Sequence, residues 1–199
     1  MKRLMNLLLP GLLFLFSCDG VQEFSAAELD AYAGSEASGW VQRKSYNGIN
    51  YVIKYRPVSL IALHEEESDS ARAKRQEALK KMYRFNIDIQ VEGSGQSPLR
   101  HGISGLEEYN ARLDYFLNQA SKDIWLIDGN DTLRPAAYWF ENNHNLTSHE
   151  TIVLNFDNTQ IKNKEIQLAF NDRLFRNGII KASFQKNDLD KKIALTYDK

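Results

Sequence analysis

The chain has 199 residues, 43% of them hydrophobic, with 25 lysines and arginines against 26 aspartates and glutamates. That is enough apolar chain for one domain with a real core, and the balanced charge lacks the basic excess of a nucleic-acid binder, so no nucleic-acid partner is expected. A single cysteine excludes an internal disulfide.

The chain opens with Lys2 and Arg3 and then runs almost without polar groups from Leu4 to Phe16. A short basic head before an apolar stretch is the layout of an export signal. A membrane-crossing helix needs about 20 apolar residues. This run is interrupted at Pro10-Gly11 and stops at Ser17-Cys18, so removal is expected rather than a permanent span.

The end of the run, Leu15-Phe16-Ser17-Cys18, resembles the lipobox of bacterial lipoproteins. The resemblance covers residues 1–18. It implies a signal peptide over 1–17, cut just before Cys18, with a diacylglyceryl group on the Cys18 thiol and an acylated (palmitate-type) amino terminus. Such a group also explains a lone thiol in an oxidising compartment. Two or three buried acyl chains, at about 0.8 kcal/mol per CH₂, hold firmly where one is marginal. The alternative is a plain secretory signal with an incidental cysteine. The resemblance implies a membrane-anchored protein of the cell envelope, on the periplasmic or surface side. Asp19 resembles the inner-membrane retention signal of enterobacteria, a rule not expected in the Bacteroidota, whose lipoproteins the chain resembles in general texture; inner or outer membrane stays open. Beyond residue 17 there remain 23 basic and 26 acidic side chains, because Lys2 and Arg3 are the only charges removed.

Residues 18–39 are rich in small and acidic side chains and read as the lipidated N-terminus and a flexible tether, with a docked N-terminal helix as the alternative. A single β-rich domain is expected over 40–199. Asn47-Gly48 predicts a tight hairpin between Trp40–Tyr46 and Ile49–Arg56, since both residues tolerate positive φ. In the second arm Ile49, Tyr51, Ile53 and Tyr55 share one face, and Asn50, Lys54 and Arg56 the other. Trp40, Tyr46, Tyr51 and Tyr55 are expected as packing aromatics. After Pro57, the run Val58–Leu63 is expected to continue along the sheet past a bend. Ser68–Met82 reads as a helix with a thin apolar stripe and a Glu77–Lys81 pair. Its cations Arg72, Lys74, Arg75, Lys80 and Lys81 form either a patch for an anionic surface or a solvated face offset by Glu65, Glu66, Glu67 and Asp69.

Tyr83–Glu92 alternates, with Tyr83, Phe85, Ile87, Ile89 and Val91 inward. Ser104 and Glu107 match a capping box, and Leu106, Tyr109, Leu113, Phe116 and Leu117 follow at helical spacing. Ile124–Ile127 and Leu133–Glu141 read as a second hairpin around Asp128-Gly129-Asn130-Asp131, with Pro135 pushing the return arm to an edge or bulge. Four strands are expected in the tail, over Thr151–Phe156, Lys164–Phe170, Gly178–Phe184 and Ile193–Tyr197. Eight or nine short strands with two inserted helices predict a mainly β fold, an antiparallel immunoglobulin-like β-sandwich. The alternative is an α+β fold, a curved antiparallel sheet backed by helices.

No motif names a chemistry. Gly93-Ser94-Gly95 and Gly102-Ile103-Ser104-Gly105 miss the G-x-S-x-G spacing of a nucleophile elbow. His144 and His149, with Glu150, are too far apart for one helix face, and Asp128-x-Asn130-Asp131 lacks the downstream glutamate of a calcium loop. Glu107, Glu108, Asp114, Asp123 and Glu141 are acids whose pairing depends on distances a sequence does not carry. No catalytic, metal or cofactor residue is assigned, and the one named site residue is Cys18. The expected role is a non-catalytic binding or assembly module, presenting a hairpin edge or aromatic face to another envelope protein or to a polysaccharide. The alternatives are an envelope hydrolase or carbohydrate-active enzyme using His101, His144 or His149 beside a carboxylate, and a structural spacer.

Overall fold

The structure, a computed structural model, describes residues 21–143 and 146–196. The expected signal peptide over 1–17, Cys18 and His144 lie outside these residues. The chain is mainly β. In order it forms β1 (Gln22–Phe24), α1 (Ala26–Gly34), β2 (Val41–Tyr46), β3 (Ile49–Arg56), α2 (Val58–Glu65), α3 (Asp69–Leu79) and β4 (Met82–Val91). There follow α4 (Leu106–Asp114), β5 (Ile124–Asp128), β6 (Asp131–Leu133), β7 (Ala137–Glu141), β8 (His149–Asp157), β9 (Glu165–Asp172), β10 (Gly178–Gln185), α5 (Lys186–Leu189) and β11 (Ile193–Leu195).

A five-stranded antiparallel sheet has the order β2-β3-β4-β8-β7, and a four-stranded antiparallel sheet the order β10-β9-β5-β6. β1 and β11 pair in parallel as a separate ribbon. The Asn47-Gly48 turn forms as expected: φ is 49° and 75° at the two residues, and Tyr46 pairs with Ile49. Burial alternates strictly along β3 and β4, because a strand sends successive side chains to opposite faces. Inward rings of both sheets join one core. Phe85 of β4 lies 5.1 Å from Phe184 of β10, and Tyr51 of β3 lies 6.4 Å from Phe170 of β9.

Four local expectations are corrected. The segment read as a tether is ordered from Gln22: Ser25 and Glu28 form a capping box, and the α1 side chains Leu29 and Ala33 are buried in the main core. The Val58–Leu63 run is helical, not a strand. Pro57 is its N-cap, and Leu60, Ile61 and Ala62 are all buried, so no alternation was there to distinguish strand from helix. The Leu133–Glu141 arm divides between sheets. β6 pairs with β5, while β7, beyond Pro135, pairs with β8 in the other sheet. Finally, α4 is capped at Gly105, and Ser104 bonds through its N–H and hydroxyl to Glu108 rather than Glu107. Of the five apolar residues expected on its inner face, Phe116 is buried, while Leu106 and Leu117 are exposed. A wider π-helical turn over Tyr115–Gln119 breaks the 3.6-residue register on which that face depended.

Candidate functional site

The outer face of the five-stranded sheet gathers arginine, asparagine and glutamate side chains at one end. Cross-strand register sets the rows: Arg56 stands directly opposite Arg84, Arg84 opposite Asn155, Asn86 opposite Val153, and Val153 opposite Trp139. Because Pro57 turns the chain straight from β3 into α2, the last turn of that helix brings His64 and Glu65 back over this end of the sheet. The result is a groove of about 270 Å³ whose lining includes Arg56, His64, Glu65, Arg84, Asn86, Trp139 and Glu141.

Arg84 is fully engaged. It donates to Glu65 (2.9 Å) and to Asn155 Oδ1 (3.1 Å), and its guanidinium lies 5.2 Å from the centre of the Trp139 ring. Arg75 bonds the other Glu65 oxygen at 2.6 Å. Burial pushes the Glu65 carboxyl up, but Arg84 and Arg75 together hold it below the usual range.

Arg56 is different. It has no ion-pair carboxylate among the described residues, and its polar contact is a 3.4 Å approach of Nη2 to His64 Nδ1. A guanidinium only donates, so Nδ1 is the acceptor and the His64 ring proton sits on Nε2, which donates to Asp30 of α1 at 2.9 Å. Burial pushes the Arg56 pKa down. The more distant Asp30, Asp88 and Glu141 oppose this, and Arg84 reinforces it. Trp139 is 37% exposed on the edge strand β7. Asn86 Oδ1 is buried without a hydrogen-bond partner.

A larger cavity, about 510 Å³, lies between α2, α3 and the chain around α5 and β11. Its polar groups are largely spent on one another. Tyr83 donates to Asp190, Tyr55 to the Leu189 carbonyl (3.0 Å), and Lys191 to Tyr32 (3.0 Å), with an ion pair to Asp188 (2.9 Å). These contacts fasten the C-terminal segment to the sheet, a structural role.

The side chains singled out from the sequence are dispersed. His101 is exposed near Phe175, and His149 lies opposite Gln90 at the start of β8, while its neighbour Glu150 faces the core. Glu108 pairs with Arg112, Asp114 accepts from Asn118 and Gln119, and Asp123 pairs with Arg173. Asp128 accepts the N–H groups of Lys162 and Asn163, the work of a loop brace. On α3, Arg72 pairs with Asp69, Arg75 with Glu65 and Lys80, not Lys81, with Glu77, so the basic face is largely offset. Among the described residues no group of three His, Cys, Asp or Glu side chains could hold a metal ion, and no helix is long and apolar enough to cross a membrane.

Sequence reasoning placed Arg56 and Arg84 correctly on outward faces but missed the groove. It gave His64 and Trp139 no role. The available signal was an arginine at the outward position of two neighbouring strands, which becomes a juxtaposition only when the register is known. No family model, no curated protein and no solved structure matches this chain.

Proposed function

We propose that the protein is a lipid-anchored, non-catalytic binding module of the bacterial cell envelope, with the Arg56–Trp139 groove as its ligand site. One observation carries the reading: two arginines stand directly opposite each other on adjacent strands, one of them without an ion pair among the described residues, beside a partly exposed indole. Like charges at opposed positions destabilise a sheet. A bound anion offsets that cost, and a groove lined by arginine and tryptophan has the chemistry of a recognition surface. The rest of the reading comes from the sequence. Cys18 supplies the anchor through its lipid, leaving the domain free to face an envelope protein or polysaccharide. The fold is taken as an immunoglobulin-like sandwich with inserted helices, a layout favoured by the ring contacts between the two sheets.

Two measurements test this. The full-length chain, extracted in detergent, is expected to retain a protein or glycan from solubilised envelopes, and an Arg56→Gln chain to lose it. Retention undiminished by the substitution removes the groove from the reading, and no retention by either chain removes the binding role. The anchor is tested by Cys18→Ser, which is expected to leave the membrane fraction; a variant that still partitions there at the processed size overturns it.

A further inference from the structure

We infer that the groove accepts a carboxylated sugar, a hexuronic-acid residue within an acidic polysaccharide. This rests on the groove being the binding site and adds the class of ligand. The first argument is charge. Arg84 and Arg75 are both spent on Glu65, and His64 turns its Nε2 to Asp30 at 2.9 Å. Arg56 is therefore the cation without an ion pair among the described residues, with Asp30, Asp88 and Glu141 acting on it only from a distance. A ligand carboxylate gives it a direct partner. A phosphate dianion brings a second charge into a groove already holding Glu65 and Glu141, whereas a carboxylate matches the planar guanidinium fork with a single charge.

The second argument is what surrounds that cation. Trp139 keeps part of its ring exposed beside the Arg84 guanidinium, apolar surface of the kind against which the C–H face of a sugar ring packs, and it stands on the edge strand, where a polymer can pass on either side. Glu141 is exposed, and its carboxylate has no hydrogen bond or ion pair to a described residue. It accepts hydrogen bonds, and ring hydroxyls supply donors. An acidic peptide side chain satisfies Arg56 but brings no such set of hydroxyls. Size agrees as well: liquid water occupies about 30 Å³ per molecule, so about 270 Å³ holds one hexuronate ring and a few waters.

The test is calorimetric titration of the full-length chain in detergent with tetragalacturonate, its fully methyl-esterified form, glucose 1-phosphate and a tetra-aspartate peptide. The acid oligomer is expected to bind. Esterification, which removes the charge and keeps the rings, and Arg56→Gln, which removes the cation, are each expected to weaken binding about tenfold or more, the loss of one charge-assisted contact. Trp139→Ala is expected to weaken both the acid and the ester. Equal affinity for acid and ester, tighter binding of the phosphate or the peptide, or indifference to Arg56→Gln overturns the inference. If no galacturonate binds while envelope material is still captured in an Arg56-dependent way, the ligand class falls and the groove stands. If capture also ignores Arg56, both fall.

Discussion

Ser97 donates its hydroxyl to Glu150, a carboxyl with no solvent-exposed surface on the core side of β8, and the same hydroxyl accepts the N–H of Leu99 at 3.1 Å. The pair pins the Pro98–Arg100 turn over the sheet. The second Glu150 oxygen has no hydrogen-bond partner among the described residues. Burial raises the pKa from the ordinary 4.5, with Ser97 and His149 only partly opposing it. A carboxyl raised in the folded state contributes stability that is full below the unfolded value and is lost as pH climbs through the folded one. Glu150→Gln removes that titration. Urea unfolding from pH 4 to pH 8 is expected to show the substituted chain gaining on the parent as pH rises. Parallel pH profiles contradict this account of the site.

A second buried acid is bound the opposite way. Asp172, 2% exposed, accepts the Tyr51 hydroxyl at 2.6 Å and the N–H groups of Leu174 and Phe175 at 3.1 and 3.0 Å, linking β3 of one sheet to the end of β9 in the other. Burial first, and then Asp172, push the tyrosine ionisation far up, so its proton is always available to donate. Tyr51→Phe keeps the ring packing and removes two bonds, the one donated to Asp172 and the one accepted from Asn177 Nδ2 at 2.8 Å, a loss of about 1.5–3 kcal/mol. Denaturant unfolding is expected to show a lower midpoint with an unchanged slope. A shift below about 0.5 kcal/mol means that the sheets are not joined through this bond.

Leu29 settles whether the segment before Trp40 belongs to the domain. It is fully buried, and neighbouring rings extend the contact: Tyr32 of α1 lies 5.0 Å from both Phe24 and Trp40. Leu29→Ala leaves a cavity and is expected to cost about 2–5 kcal/mol in global unfolding. A surface-like effect within about 0.5 kcal/mol restores the tether.

What could be read from the sequence follows from periodicity. The strands through Tyr51, Phe85, Ile166 and Phe184 were legible because each sits between a buried and a less buried face, so the period of two survives in the residue types. α2 was not legible. Its buried residues are contiguous, and a contiguous apolar run carries no period. α1 stood only as the alternative to a tether, for the opposite reason: it buries only Leu29 and Ala33, too few to outweigh the acidic and small residues around them. The groove depends on both helices, since His64 rides on α2 and Asp30 on α1. Its remaining members, Arg56, Arg84 and Trp139, are ordinary outward residues until strand register places them together.

The Arg56–Arg84 pairing makes a prediction about stability separate from any ligand. Opposed like charges cost a sheet about 0.2–1 kcal/mol. Arg84 is held by Glu65 and Asn155, so its charge is compensated, while Arg56 has been drawn from water without an ion pair. Its lowered pKa has the same meaning in linkage terms: the fold disfavours the charged form, and that form is the one present at neutral pH. Arg56→Gln keeps the stem and a donor beside His64 while deleting the charge, so the ligand-free chain is expected to unfold at a denaturant concentration higher by a margin in that range. Added salt screens the repulsion in the parent, and the margin is expected to narrow between low ionic strength and 1 M, where the Debye length falls to about 3 Å. Arg84→Gln is expected to move the other way, because it strands Glu65 with Arg75 alone and removes the cation from the Trp139 ring. If both substitutions destabilise alike, the two arginines are equivalent structural groups, and Arg56 is not held in readiness for an anion.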